Sequence, residues 1–186
     1  MPAIHELETK RLLLRQWSPS DHPAFAEMNA CPEVMEYFPS TLTRSESDSL
    51  ASRISKSIAE RGWGLWALEE KQHGTFLGFT GLSQTPELLP FDSAIEVGWR
   101  LSKQSWGNGY ATEAATRALE FAFDELGIAE VVSFTSTTNV RSQAVMLRIG
   151  MSDTCKNFGH PSVPVVSDLH QHVLYRVTKE QWRADA

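Results

Sequence analysis

The spacing of apolar side chains along the chain changes often enough to lay out its elements. Residues 9–16 alternate apolar and charged side chains around Leu12 to Leu14, a period of two that predicts a first strand. The stretch SPSDHPAFAEMN then opens with Ser and Asp suited to cap a helix. Between residues 44 and 61, Leu50, Ile54 and Ile58 recur four apart, which predicts a second, amphipathic helix with Ser45 as its candidate cap. Residues 64–70 and 75–83 are rich in strand formers and flank a KQHG turn, so they read as a hairpin. The loop QTPELLPFDS leads into a further strand over 94–101, and these strands are expected in sequence order and antiparallel.

From residue 108 to about 126 the pattern is helical, with Ala111, Ala115, Ala118, Leu119 and Ala122 on one face and Gly127 as the stop. Such small residues let a helix approach a sheet closely. A strand over 130–136, a helix over 139–149 and a strand over 151–158 follow, an order that predicts a parallel crossover. The segment HPSVPVVSD is irregular and separates that strand from a last one over 170–178, together a long hairpin arm. One α/β domain over residues 1–186 with a mixed sheet is expected.

Composition narrows the function. A chain of 186 residues, 41% hydrophobic and 22% charged, is an ordinary globular domain that buries roughly two-thirds of its unfolded surface. The net charge of -6 argues against a nucleic-acid partner, which would require many phosphates to be neutralised, and mildly favours amine substrates. No apolar run approaches the roughly 20 residues of a membrane span, so no membrane partner and a cytoplasmic location are expected. Cys31 and Cys155 are too isolated for a disulfide framework or a zinc pattern and read as reduced packing thiols. His170 and His172 share a strand face, but without a visible third ligand no metal is expected.

The chemistry concentrates in KQSWGNGYATEA (103–114), where Gly107 and Gly109 precede a helix. A glycine-rich turn at a helix N-terminus points backbone N–H groups outward, into a positive dipole end, and makes an anion site. A nucleoside triphosphate loop would need a lysine after the second glycine, and a dinucleotide fingerprint a third glycine where Thr112 stands. A tight strand-to-helix turn, with glycine supplying only positive φ, is the plain structural alternative. The pattern Gln104-x-x-Gly107-x-Gly109-Tyr110-Ala111 resembles the acetyl-coenzyme A loop of the GNAT acetyltransferases. ETKRLLLRQW, IEVGWRL, NVRSQAVMLRIGM and HVLYRVTKEQW extend the resemblance over nearly the whole chain, towards the RimJ/RimL-type branch that includes N-terminal acetyltransferases of ribosomal proteins.

The resemblance implies an α/β (α+β) fold with a mixed, mostly antiparallel sheet flanked by helices, and acetyl-coenzyme A as co-substrate. It implies a bulged, splayed strand at Val97, Trp99 and Leu101 for the pantetheine arm, and backbone donors from Trp106, Gly107, Asn108, Gly109, Tyr110 and Ala111, with Gln104, for the pyrophosphate. Glu96 stands where many relatives place the general base; a solvated strand glutamate or a structural ion pair is the alternative. Asn139 and Ser142 match a second family motif, the asparagine towards the pantetheine and the serine as a thiolate proton donor, though both also suit a helix cap. The tyrosine many relatives carry seven residues after that asparagine is here Met146. Trp63 and Trp66 are expected to make the acceptor pocket aromatic.

Direct transfer to a primary amine, on a protein N-terminus or a small molecule, is therefore expected, because neither cysteine is set up for a covalent route. A non-catalytic acyl-coenzyme A sensor is the alternative, and a homodimer is expected by family analogy.

Overall fold

The computed structural model describes residues 2–184, so the ends of the expected 1–186 unit lie outside the described residues. Among the described residues nine strands make one sheet: β1 (Leu7–Glu8), β2 (Leu12–Arg15), β3 (Leu65–Glu70), β4 (Thr75–Gln84), β5 (Ile95–Leu101), β6 (Glu130–Ser136), β7 (Ser152–Asp153), β8 (Phe158–Gly159) and β9 (Gln171–Thr178). Their order is β1-β2-β3-β4-β5-β6-β9-β7, with β8 also on β9. All pairings are antiparallel except β5 with β6, so the sheet is mixed and mostly antiparallel, as expected. The helices are α1 (His22–Ala30), α2 (Arg44–Arg61), α3 (Tyr110–Glu120), α4 (Val140–Arg148) and α5 (Lys179–Ala184).

Strand alternation divides the core between the two faces of the sheet. On one, Phe25 of α1 meets Phe79 of β4 with ring centroids 6.0 Å apart. On the other, Trp66 of β3 meets Phe121, just beyond α3, at 5.6 Å. Trp66, Phe25 and Phe121 are fully buried, and each contributes roughly 1.5–3 kcal/mol by leaving water. Of the face predicted for this helix, Ala115, Ala118, Leu119 and, just beyond α3, Ala122 are buried, Ala111 is only half-buried and Ala114 is buried in addition; the helix lies close on β4 and β5.

Several local expectations are corrected. The cap of α2 is Thr43, not Ser45: its extended backbone lets the hydroxyl accept from Glu46 N–H while the Glu46 carboxylate takes the Thr43 N–H at 2.7 Å. Ser45 already lies inside the first turn. The predicted 108–126 helix widens into a π-turn over Phe121–Glu125, which brings Phe121, Ala122 and Phe123 successively into the core. The expected 151–158 strand is interrupted between β7 and β8, because the Asp153 carboxylate captures the Cys155 N–H at 2.8 Å and Cys155 turns to φ 56. The expected parallel crossover through α4 is also displaced. β9 lies between β6 and β7, and the parallel pair is β5–β6, joined through α3. α5 had no counterpart in the sequence reading.

One ionic cluster ties the first segment down. Asp21, 2% exposed, ends a short 3-10 turn (Pro19–Asp21), accepts both Arg15 Nη atoms at 2.8 Å and also takes the Ser18 N–H. Arg15 Nε reaches Glu69 of β3 at 2.7 Å. Removing Asp21 would leave the half-buried Arg15 with Glu69 alone and the Ser18 N–H without its acceptor. Asp21→Ala is therefore expected to lower unfolding free energy by about 3 kcal/mol in urea titrations, a magnitude typical of such losses. A change below about 0.5 kcal/mol would remove this cluster from the account.

Candidate active site

β5 and β6 pair at two positions only, Ile95↔Val131 and Glu96↔Val132, although each strand runs on for several residues. Beyond Glu96 they part. On its other edge β5 stays paired with β4 throughout, from Ile95 to Leu101. Ser102 N–H donates to Leu77 O, so by antiparallel alternation Arg100, Gly98 and Glu96 turn their amides to β4, and Trp99 and Leu101 turn theirs into the opening. The splay expected at this strand is thus present but the bulge is not, since β5 keeps one unbroken register with β4; Val97 is buried at the fork. The Leu101 carbonyl is occupied by the Trp106 indole N–H at 3.0 Å, which fastens the loop to the strand it leaves.

The loop delivers the chain to α3 through Gly107 (φ 76) and Gly109 (φ 77), both in the left-handed region where a side chain would be strained. A Cβ on Gly107 would meet nothing within 4 Å, and one on Gly109 only Arg11 Nη2 at 3.6 Å, so it is space that these positions leave open. Gly109 is the N-cap of α3, and no side chain caps it. The first intrahelical bond is from Glu113 N–H to Gly109 O, which leaves the amides of the preceding turn without helical partners. Glu113 meanwhile fixes the helix end against the β1–β2 turn, accepting from Thr9 Oγ1 at 2.6 Å and Arg11 Nε at 2.7 Å.

Across the opening, Asn139 caps α4. Its Oδ1 accepts the Ser142 N–H at 3.2 Å, and its Nδ2 donates to Thr135 Oγ1 at 2.9 Å and Ser142 Oγ at 3.2 Å. Both residues therefore do the capping work that sequence alone allowed. Because Ser142 Oγ already accepts a bond there, its proton is free to point into the cavity.

These elements enclose a cavity of about 1180 Å³. It is lined by Glu96, Trp99, Leu101, Trp106, Gly107, Gly109, Tyr110, Ala111, Asn139 and Ser142 of the anticipated residues, with Met146 in its wall. Val97, Gln104 and Asn108 do not line it: Gln104 is exposed, and Asn108 hydrogen-bonds back to Ser105 O and Trp106 O. Trp63 and Trp66 are also outside. Trp66 turns to the opposite face, fully buried and bonded to His5 O at 2.7 Å. Leu65 faces the cavity instead, and Tyr37, Phe38, Phe79 and Phe134 add to the aromatic lining already given by Trp99, Trp106 and Tyr110. Neither cysteine lines it.

Glu96 lies at the fork. Burial pushes its carboxyl up to about 8, opposed in part by a hydrogen bond from Ser83, its cross-strand partner in β4. A carboxyl so tuned exchanges a proton near neutral pH, as an acid–base group must. Three features were not expected in the site, and of the His170–His172 pair weighed from sequence only His172 reaches it, His170 lying before β9 and bonded to Val163 O. Arg100 lines the cavity two residues beyond Gly98. Arg141, in the first turn of α4, stacks on the Trp106 ring at 4.5 Å. His160 and His172 line the far wall with ring centroids 4.8 Å apart, and burial holds both below the usual imidazole range. Among the described residues, no three His, Cys, Asp or Glu side chains gather as a metal-binding group, and no helix is long and apolar enough to cross a membrane.

Comparison with known proteins agrees with this architecture. Residues 11–152 match the acetyltransferase (GNAT) domain family. The chain is 30% identical, over 97% of its length and 78% of the relative's, to a protein of Aspergillus fumigatus named FsC-acetyl coenzyme A-N(2)-transacetylase. A GNAT-family acetyltransferase structure from Bacillus anthracis superposes with a TM-score of 0.80 at 20% identity, covering 95% of this chain and 99% of that one. The structure of a ribosomal-protein-S5-alanine acetyltransferase from Vibrio fischeri does so at 0.74 and 15% identity, covering 96% and 98%, a likeness of fold. The family match spans most of the chain, and a forked sheet beside an uncapped helix lies within it: the chain belongs to the GNAT acetyltransferases, acyltransferases that carry acetyl from acetyl-coenzyme A to an amine.

Proposed function

We propose that the chain works as one unit over residues 1–186, transferring acetyl from acetyl-coenzyme A to a primary amine by direct attack while both substrates are bound. The observation that carries this reading is the fork between β5 and β6 opening beside the uncapped start of α3. In this reading the amides from Gly107 to Ala111 hold the pyrophosphate; the Trp106 N–H, also expected there, is already given to Lys103 O, whereas a helix end without a side-chain cap offers the remaining donors to one anion without a metal. The amides of Trp99 and Leu101 hold the pantetheine arm and the thioester carbonyl. Bound there, acetyl-coenzyme A supplies the activated acetyl group.

Glu96 takes the proton of the attacking amine. Ser142 gives one to the leaving sulfur, a modest duty because a thiolate with pKa near 8.5 leaves readily. The absence of a tyrosine at Met146 favours the serine. Acceptors of the RimJ/RimL kind, a protein N-terminus or a small-molecule amine, are consistent with the fold likeness to the ribosomal-protein enzyme and with the N(2) transfer in the Aspergillus relative's name. Cofactor binding without turnover on any amine or N-terminal peptide would instead favour a sensor.

Gly109→Glu places a carboxylate where the anion is held and is expected to weaken acetyl-coenzyme A binding by at least about 100-fold in calorimetry while the circular dichroism spectrum is kept. Unchanged affinity would defeat the assignment. For wild type, kcat/KM should rise as pH climbs through about 8, where Glu96 becomes the basic carboxylate. Glu96→Gln should flatten that limb and reduce turnover by roughly 100- to 10,000-fold. The same raised pKa means that the folded chain keeps a proton the unfolded chain has released. Wild type should therefore lose stability relative to Glu96→Gln between about pH 5 and 8, read from melting temperatures. Parallel profiles for the two proteins would exclude Glu96 as the base. Ser142→Ala should slow turnover about 10-fold or more with KM for acetyl-coenzyme A little changed; full turnover would take the serine out of the mechanism.

A further inference from the structure

Arg100 is a cation that the fold holds by aromatic and amide contacts but does not neutralise. Its guanidinium lies over two aromatic rings, 4.1 Å from the Phe38 centroid and 5.4 Å from that of Phe79. Nη1 donates to Asn29 Oδ1 at 2.7 Å, while Nε is buried with no hydrogen-bond partner. Among the described residues no carboxylate lies within ion-pair distance of it. Burial lowers its pKa to about 10, so it remains charged at neutral pH. A half-buried charge with one fully buried, unpaired Nε and no counter-charge is costly, and a methionine of similar volume would fill the same space without that cost.

Its position is held by a polar relay across three elements. Asn29 in α1 is fully buried, and its Nδ2 donates to Ser47 Oγ of α2 at 2.9 Å while its Oδ1 receives Arg100. An arginine has no acceptor, so this relay fixes the asparagine's orientation and leaves the rest of the guanidinium edge unserved. Arg100 shares its strand face with Glu96, and between them stands Gly98, whose missing side chain leaves that part of the cavity floor bare. The two Cα atoms lie about 13 Å apart at ordinary strand rise. One face of β5 thus presents a proton acceptor, a bare step and an unneutralised guanidinium.

We propose that Arg100 is an acceptor-recognition residue: the amine substrate also carries a carboxylate, which pairs with this guanidinium while the amine lies towards Glu96. The inference rests on the proposed acetyl transfer and narrows its acceptor to carboxylate-bearing amines. The planar fork matches a carboxylate, and the pair would supply the counter-charge that the protein itself withholds. Two sources share this chemistry, a free amino acid and a peptide N-terminus followed by an acidic side chain.

The test uses the full chain with saturating acetyl-coenzyme A and matched acceptors. One arm compares amino acids of two to six carbons with their carboxamides; the other compares N-terminal tetrapeptides bearing Asp or Glu at the second position with their Asn or Gln counterparts. In one arm or both, the acid should exceed its neutral partner in kcat/KM by about 10- to 100-fold, as charge-assisted pairing allows. The ratio should collapse towards one in Arg100→Met and persist in part in Arg100→Lys, both checked for folding by circular dichroism. A second readout does not need turnover. The Nε–H resonance of Arg100, identified by its loss in Arg100→Met, should shift saturably with the preferred acid and not with its neutral partner when coenzyme A is bound. Turnover without acid preference in either arm, a preference that survives Arg100→Met, or an Nε–H signal indifferent to every acid would each overturn this inference and leave acetyl transfer standing. Failure to bind acetyl-coenzyme A would instead overturn the proposed function itself.

Discussion

Two strands that begin a pairing and then abandon it are the constraint on which the site depends. Backbone amides in a sheet interior are ordinarily spent on their neighbours, and leaving them unspent costs free energy. Here β5 remains fully paired on its β4 edge while its other edge is free from Trp99 onward. The pairing with β4 keeps the strand straight and the donors aimed; the divergence from β6 keeps them available. α3, packed through its alanines on β4 and β5, brings its own unsatisfied amides to the mouth of the same opening. The cavity, the raised carboxyl of Glu96 at the fork and the stranded guanidinium of Arg100 all follow from that opening.

The legible part of this architecture was the part governed by local spacing. The 44–61 helix and the 130–136 strand appear with the bounds their periodicity predicts, since apolar residues four apart or in a β-branched run admit few alternatives. The loop at Gly107 and Gly109 was legible because positive φ and missing side chains leave a trace in residue type. What failed depended on tertiary placement. LWALEE is apolar on both sides, so parity alone could not tell that Leu65 faces the cavity and Trp66 the core. The 151–158 run alternates well enough for a strand, yet the Asp153 side chain outcompetes the ladder for the Cys155 amide.

Arg100 was illegible for a different reason. A single arginine in an alternating strand has the sequence signature of a solvated position, and only the closing of Phe38, Phe79 and Asn29 around it makes it exceptional. Glu96 drew notice through its place in a motif, but its raised pKa comes from burial at the fork, which no local pattern encodes.

The helix beginnings carry one more implication. α2 begins in a sealed pole, its dipole quenched by the Thr43–Glu46 box, and α4 is closed at its start by the Asn139 side chain. α3 is preceded by a residue with no side chain to offer, and its pole stays live. At α1 the N-cap Asp21 makes no capping bond but brings its own carboxylate, so a visiting anion is turned away there and at the two shut doors and is steered to the one pole that a glycine precedes.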